Sequence, residues 1–295
     1  MTSKLYLAII LSNYQELGLK RYIDYFNIKD KIILFKYDED VVVNNDLPKN
    51  VIKKKFSNKY VFLISLILFM FKNFFYKKKY IFGNPDSTVV SFLRKFISGK
   101  NQIYVDDGNG PIHLNHNKLK KNSTVFTIFD IKIPSKLKKI RYLPKYIKKK
   151  KKTCDKILFI GSALVSKKII STDKFIKLYN NISKKHKKFY YYPHRTEVEE
   201  LSLLPKNFEI IKRVSSVEQF IYNYKYNFKL IYLFFSTSLF EIILFNKKSS
   251  IKVLDIYNLI NTPDKEFFKY HKLKKFEKTY DYIRKLKLET IKFEK

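Results

Sequence analysis

Lys4-Leu5-Tyr6-Leu7-Ala8-Ile9-Ile10-Leu11 is a short, almost unbroken apolar run rich in Ile and Leu. Such a run predicts a strand buried on both faces, as in a parallel sheet. Ser12-Asn13 follows, then a helical pattern from Gln15 to Phe26, then a second apolar run, Ile32-Ile33-Leu34-Phe35, within Lys31 to Lys36. Strand, helix and strand in about 35 residues make a βαβ unit, whose crossover is almost always right-handed. Asp38-Glu39-Asp40 then reads as a solvated turn. The expected fold class is α/β, with helices covering a parallel sheet.

The pattern continues outward from this unit. Tyr60 to Phe71 is the longest apolar run, and its twelve residues fall short of the roughly 18 to 20 that span a bilayer. Between Lys53-Lys54-Lys55 and Lys77-Lys78-Lys79 it predicts a buried helix of the first domain, with contact to a membrane surface as the alternative. Strands are expected at Tyr80–Phe82, Gln102–Val105 and Val125–Phe129, and a helix over Ser87–Phe96. Lys148 to Lys152 are five consecutive lysines, a self-repelling stretch that predicts a linker. Beyond it the pattern restarts. Lys156–Ile160 is a strand, Gly161-Ser162-Ala163 a turn, and Thr172–Lys184 a helix capped at Ser171 or Thr172. Strands follow at Phe189–Tyr192, Phe208–Ile211 and Lys229–Phe235, with helices over Val217–Tyr224 and Leu239–Phe245 and a helical C-terminus from Thr262. The expected organisation is two Rossmann-like domains, residues 1–147 and 156–295, joined by a lysine-rich linker at 148–155.

Composition bounds the function. At 45% hydrophobic and 17% aromatic residues the chain can bury a large core, which excludes global disorder. One cysteine, Cys154, excludes an intramolecular disulfide framework and fits a reducing cytoplasm. The net charge of +35 invites a nucleic-acid reading, but six of the 61 basic residues are arginine and 55 are lysine, spread along the chain. Readers of bases rely on the arginine fork, whereas lysine suits any anionic surface, a membrane or a phosphate-bearing ligand among them. A basic nucleic-acid-binding protein is the alternative of a different class; nucleic acid is not an expected partner. There is no G-x-G-x-x-G or P-loop sequence, no Cys/His cluster for zinc and no clear D-x-D for a divalent ion.

Three stretches at strand ends carry chemistry. Asp106-Asp107-Gly108-Asn109-Gly110-Pro111 places two carboxylates and a flexible turn after Gln102–Val105. Adjacent carboxylates repel, which raises one pKa toward that of a general base, although D-G is also a common turn sequence. Tyr190-Tyr191-Tyr192-Pro193-His194-Arg195 puts an imidazole at the carboxyl end of a strand, where open α/β sheets build ligand sites, or where a histidine simply packs. Ser236-Thr237-Ser238 puts three hydroxyls where a strand meets a helix N-terminus, suited to a phosphate or to ordinary capping.

In order and context these three motifs resemble the bacterial sialyltransferases of glycosyltransferase family 52 and their relatives, the capsular polysialyltransferases. Asp106-Asp107-Gly108 stands for the family's acidic motif, Pro193-His194 for its histidine motif, and Ser236-Thr237 for its hydroxyl motif. The turn at Ile160-Gly161 resembles the opening of the family's second domain. The likeness runs from about residue 80 to 245, with one departure: the family's histidine is followed by proline, and here Arg195 takes that place. The resemblance implies a B-type glycosyltransferase fold, two Rossmann-like domains facing a cleft. It implies inverting transfer of sialic acid from CMP-sialic acid to a galactose-type hydroxyl of lipooligosaccharide or capsule, without metal or other cofactor. Asp106 or Asp107 would be the base, with Asp106 slightly favoured, and His194 the donor to the leaving phosphate. Ser236, Thr237, Ser238, Gly161, Pro193 and Arg195 would line the donor phosphate, and Gly108 and Asn109 the acceptor-side loop. Another sugar nucleotide is the nearest alternative. A cytoplasmic enzyme at the anionic inner face of the membrane is expected, with self-association left open.

Overall fold

The computed structural model describes residues 5–37, 47–72, 78–107, 110–114, 116–143, 151–194, 196–234, 236–245, 249–256, 259–260, 273–286 and 288–293. Two compact units divide the chain, Met1–Pro144 and Lys145–Lys295. The first contains β1 (Leu5–Ile10), α1 (Asn13–Phe26), β2 (Ile32–Tyr37), β3 (Val51–Phe56), α2 (Lys59–Lys72), β4 (Lys78–Phe82) and α3 (Thr88–Leu93), followed by β5 (Gln102–Val105), α4 (Gly110–His113), β6 (Thr124–Thr127) and β7 (Lys138–Arg141). Its sheet has the order β3-β2-β1-β4-β5-β6-β7, and every neighbouring pair is parallel.

The second unit contains β8 (Thr153–Ile160), α5 (Thr172–Ser183), β9 (Phe189–Tyr192), β10 (Phe208–Ile210), α6 (Val217–Asn223), β11 (Asn227–Phe234), α7 (Thr237–Phe245), β12 (Ser250–Asp255), α8 (Leu273–Lys285) and β13 (Glu289–Lys292). Its parallel sheet has the order β10-β9-β8-β11-β12-β13. Both units are therefore Rossmann-like, and the expected α/β class holds.

Local chemistry explains the element starts. Ser12, Ser87, Ser171 and Ser216 each accept the N–H of the residue three further on, capping α1, α3, α5 and α6. The central strands are apolar because helices cover both of their faces: Leu7 to Ile10 and Leu158 to Ile160 are all buried. One core of the second unit is aromatic, with Phe159 stacked between Tyr191 and Tyr232.

Four strands escaped the sequence reading, all at or near sheet edges. Val51–Phe56, read as a cationic flank, is edge strand β3; Lys138–Arg141 is the opposite edge, β7; Ser250–Asp255 and Glu289–Lys292 are β12 and β13. Lysine on an edge strand keeps its charge in water and discourages pairing with other chains, so β3, β7 and β13 lack the apolar signature of central strands. By contrast, β12 is paired on both sides and has only a short apolar stretch, Val253 and Leu254, buried. The linker boundary also moves: Thr153, Cys154 and Asp155 open β8, pairing with the start of β11. Lys148 to Lys150 and the Asp38 to Asp40 turn lie outside the described residues. The helix expected from Tyr60 to Phe71 forms as α2, but it buries only one stripe, Phe62 and Leu66, rather than its whole surface.

Candidate active site

Parallel sheets converge their functional groups at the carboxyl ends of the strands, beside the point where strand order reverses. In the first unit the chain runs from β1 outward to β2 and β3, then crosses to β4, so the reversal lies between β1 and β4. Gln15 of α1 sits at this point and accepts the Leu11 N–H at 2.8 Å. Gly83, just after β4, leaves the space that Gln15 fills; a Cβ there would stand 2.0 Å from Gln15 Oε1. Asp106 and Asp107 follow β5, the next strand along.

The two aspartates differ sharply. Asp106 is fully buried, and its Oδ2 accepts the Ile128 N–H at 2.9 Å and the Tyr142 hydroxyl at 3.4 Å. It thereby ties the end of β5 to the segments leaving β6 and β7, where Tyr142 also stacks on Phe126 at 4.1 Å. Burial pushes its carboxyl up to about 7, against the pull of Thr127, Ile128, Arg21 and Tyr142. Asp107 is half-buried, and its carbonyl accepts the Gly110 N–H at 2.9 Å where α4 begins. Gly108 and Asn109 lie outside the described residues.

In the second unit the reversal lies between β8 and β11, because β9 and β10 extend to one side of β8 and β11 to the other. Gly161 follows β8, His194 follows β9 and Ser236 follows β11, so the topology puts all three at the carboxyl ends of three adjacent strands. Pro193 is buried, and the His194 side chain beyond it is exposed. The Thr196 N–H points at His194 Nδ1 at 3.3 Å, and the Thr196 hydroxyl lies 3.0 Å from the same nitrogen. An Nδ1 that accepts leaves Nε2 to carry the proton of the neutral ring. Ser236 Oγ is buried without a hydrogen-bond partner among the described residues, at the N-terminus of α7. The Ser238 hydroxyl turns instead to the Glu218 carboxyl on α6, which burial and the nearby Glu241 carboxylate push upward. Arg195 lies outside the described residues, as does the Thr237 side chain.

Glu197 holds this corner together, and nothing in the sequence singled it out. It is buried, and its carboxylate accepts the Ser162 N–H at 3.0 Å, the Tyr191 hydroxyl at 2.9 Å and the His194 N–H at 2.7 Å. Desolvation pushes it up to about 7, with Glu200 adding in the same direction, while its three donors oppose the shift. Gly161 is required by this packing: a Cβ there would stand 2.2 Å from Glu197 Oε2 and 2.4 Å from the Tyr191 hydroxyl oxygen. Gly161 thus acts through close approach. The one available signal was a carboxylate three residues past a strand-end histidine, which is too common a spacing to stand out.

The hollow beside Tyr6, Tyr22 and Asp30 lies at the opposite, amino-terminal edge of the first sheet, so strand direction rather than concavity locates the site. Among the described residues, no three His, Cys, Asp or Glu side chains are grouped to hold a metal ion.

No protein-family model matches this sequence, and no curated protein matches it. Solved structures do match. An α/β-galactoside α-2,3-sialyltransferase from the luminous marine bacterium Photobacterium phosphoreum aligns over 98% of this chain and 99% of its own, with a TM-score of 0.55 at 10% identity. The glycosyltransferase SnogD from Streptomyces nogalater aligns over 99% of this chain and 87% of its own, with a TM-score of 0.50 at 9% identity. Likeness at such identities speaks for the fold alone, two Rossmann-like α/β domains.

Proposed function

We propose that the chain is a glycosyltransferase, and specifically an inverting sialyltransferase that moves sialic acid from CMP-sialic acid to a galactose-type hydroxyl of a surface glycan. One observation carries the reading. Gly161, His194 and Ser236 end three neighbouring strands at the reversal point of the second sheet, where an anionic donor would meet a helix N-terminus and an imidazole. The named substrate of the Photobacterium relative, a galactoside, and the motif order support the same donor and acceptor class.

In this reading the acceptor oxygen attacks the anomeric carbon as the bond to the CMP phosphate breaks, inverting the centre in one displacement. The acceptor proton passes to a carboxylate. Asp107 suits that task better than Asp106, because a fully buried carboxyl committed to Ile128 and Tyr142 has no path to a sugar hydroxyl. Charge gathers on the departing phosphate, where Ser236 Oγ, the α7 N-terminus and His194 Nε2–H donate to it. These donors supply what a divalent ion supplies elsewhere, so the proposed transfer uses no metal.

Purified protein incubated with CMP-sialic acid and lactose, with and without chelator, tests this. Release of CMP with formation of sialyl-lactose at an unchanged rate under chelation is the expected result. Turnover of a different sugar nucleotide in place of CMP-sialic acid would keep the transferase and replace the donor. No turnover of any sugar nucleotide would overturn the reading.

A further inference from the structure

We propose that the outward face of α2 docks the chain onto an anionic lipid bilayer. The inference stands on the first unit alone and does not depend on the transfer chemistry. Tyr60, Val61, Ile64, Ile67, Leu68 and Phe71 are all exposed, Tyr60 by 76% and Phe71 by 74%. At about 100° per residue they fall in one stripe roughly 120° wide, opposite the buried stripe of Phe62 and Leu66. A helix carrying apolar residues on its inner face normally shows water a polar one. This one does the reverse, and six contiguous large apolar side chains form a patch that marks an interaction surface.

Phe62 and Leu66 of α2 share one core cluster with Val89, Val90 and Leu93 of α3, so both helices cover the same face of the sheet. Phe92, on α3, and Phe96, just past it, are exposed as well, their rings 5.2 Å apart. Lys54, Lys55, Lys72 and Lys95 are exposed nearby in the chain. Lys54 reaches back over the Phe35 and Phe69 rings at 5.5 and 5.4 Å, which places its ammonium beside α2. From Leu47 to Val105 the chain carries eleven lysines and one arginine against a single acidic residue, Asp86.

Charge selects the occupant. A second copy of this chain would set the same positive surface against itself. Nucleic acid would reward the lysines but leave the apolar stripe in water. An anionic bilayer rewards both: the stripe enters the boundary between headgroups and acyl chains, and the lysines stay at the phosphates. At 14 residues α2 is about 21 Å long, so it lies in the interface and does not cross. No helix among the described residues is long and apolar enough to cross a membrane.

Co-sedimentation of the full chain with vesicles tests the proposal. Binding to phosphatidylcholine–phosphatidylglycerol vesicles is expected, with little to pure phosphatidylcholine. The double variant Ile64→Glu/Leu68→Glu should bind at least about tenfold more weakly with an unchanged melting temperature, since both side chains already face water. Lys54→Ala and Lys72→Ala should each weaken binding to the anionic vesicles about fivefold. If the glutamate variant melts early, Phe71→Ser gives the same reading with less new charge. Equal binding by the apolar-face variants and the parent, or no binding to anionic vesicles, would overturn the proposal. Self-association without lipid that Ile64→Glu abolishes would also overturn it, giving the face to a second copy.

Discussion

Asp106 in the first unit and Glu197 in the second occupy comparable corners. Each is a buried carboxyl at the carboxyl edge of a parallel sheet, pushed up to about 7 by loss of solvent and held by main-chain N–H donors. Each also stands beside a more open group suited to proton transfer, Asp107 in one case and His194 in the other. They differ in what they bind together. Asp106 fastens its own strand to the segments after β6 and β7, whereas Glu197 grips the main chain of His194 and of the turn after β8. The comparison separates two jobs that acidic residues near a site can do. One fixes the frame, and the other places a reactive side chain. In a proposed site of this kind the buried carboxyl is the scaffold and its neighbour the reagent.

The largest expected effect tests that division directly. Asp107→Asn should lower kcat/KM for sialyl transfer by about 10³- to 10⁴-fold while leaving the melting temperature near the parent's. Asp106→Ala should do the opposite first. It strands the Ile128 N–H in a buried position at a cost of about 1–3 kcal/mol, read as a melting temperature lower by several degrees. If Asp106→Asn abolished transfer without loss of stability and Asp107→Asn did not, the roles would be exchanged.

Next in size is His194→Ala, expected to reduce kcat by about 10²- to 10³-fold with stability preserved, because the ring is exposed and packs little. An unchanged rate would remove the imidazole from the mechanism.

Glu197→Gln should show a smaller loss, about tenfold in kcat, together with a pH signature in stability. A carboxyl raised in the fold above its unfolded value favours folding in its protonated form. Its contribution is complete below about pH 4.5 and declines as pH rises toward 7. Glutamine does not ionise, so the melting-temperature gap between parent and variant should narrow by a few degrees from pH 5 to pH 8. A gap independent of pH would show that Glu197 does not titrate in that window.

The smallest effect is expected at the hydroxyl motif. Ser236→Ala should raise the KM for the nucleotide sugar several-fold, since the α7 amides remain to hold the phosphate. Ser238→Ala should leave KM unaltered, because that hydroxyl serves Glu218.

The repeating apolar runs made the α/β class and the two-domain plan legible, because a strand covered on both faces must be apolar whatever its neighbours are. The strand-end positions of Asp106, His194 and Ser236 followed from the same pattern, since a turn after such a run sits at the carboxyl edge. Edge strands such as Lys138–Arg141 were not legible: one side faces water, so the polarity that marks a loop marks them as well. Glu197 was invisible for a different reason. Its importance comes from Ser162, Tyr191 and His194 converging on it, and such convergence leaves no trace in spacing. Likewise the sequence determined that Tyr60 to Phe71 is helical and apolar, but only packing on β2 and β3 decided which stripe is covered and which is left to the outside. Local sequence dictates periodicity and turn chemistry; burial is a property of the assembled sheet, and burial is what separated Asp106 from Asp107.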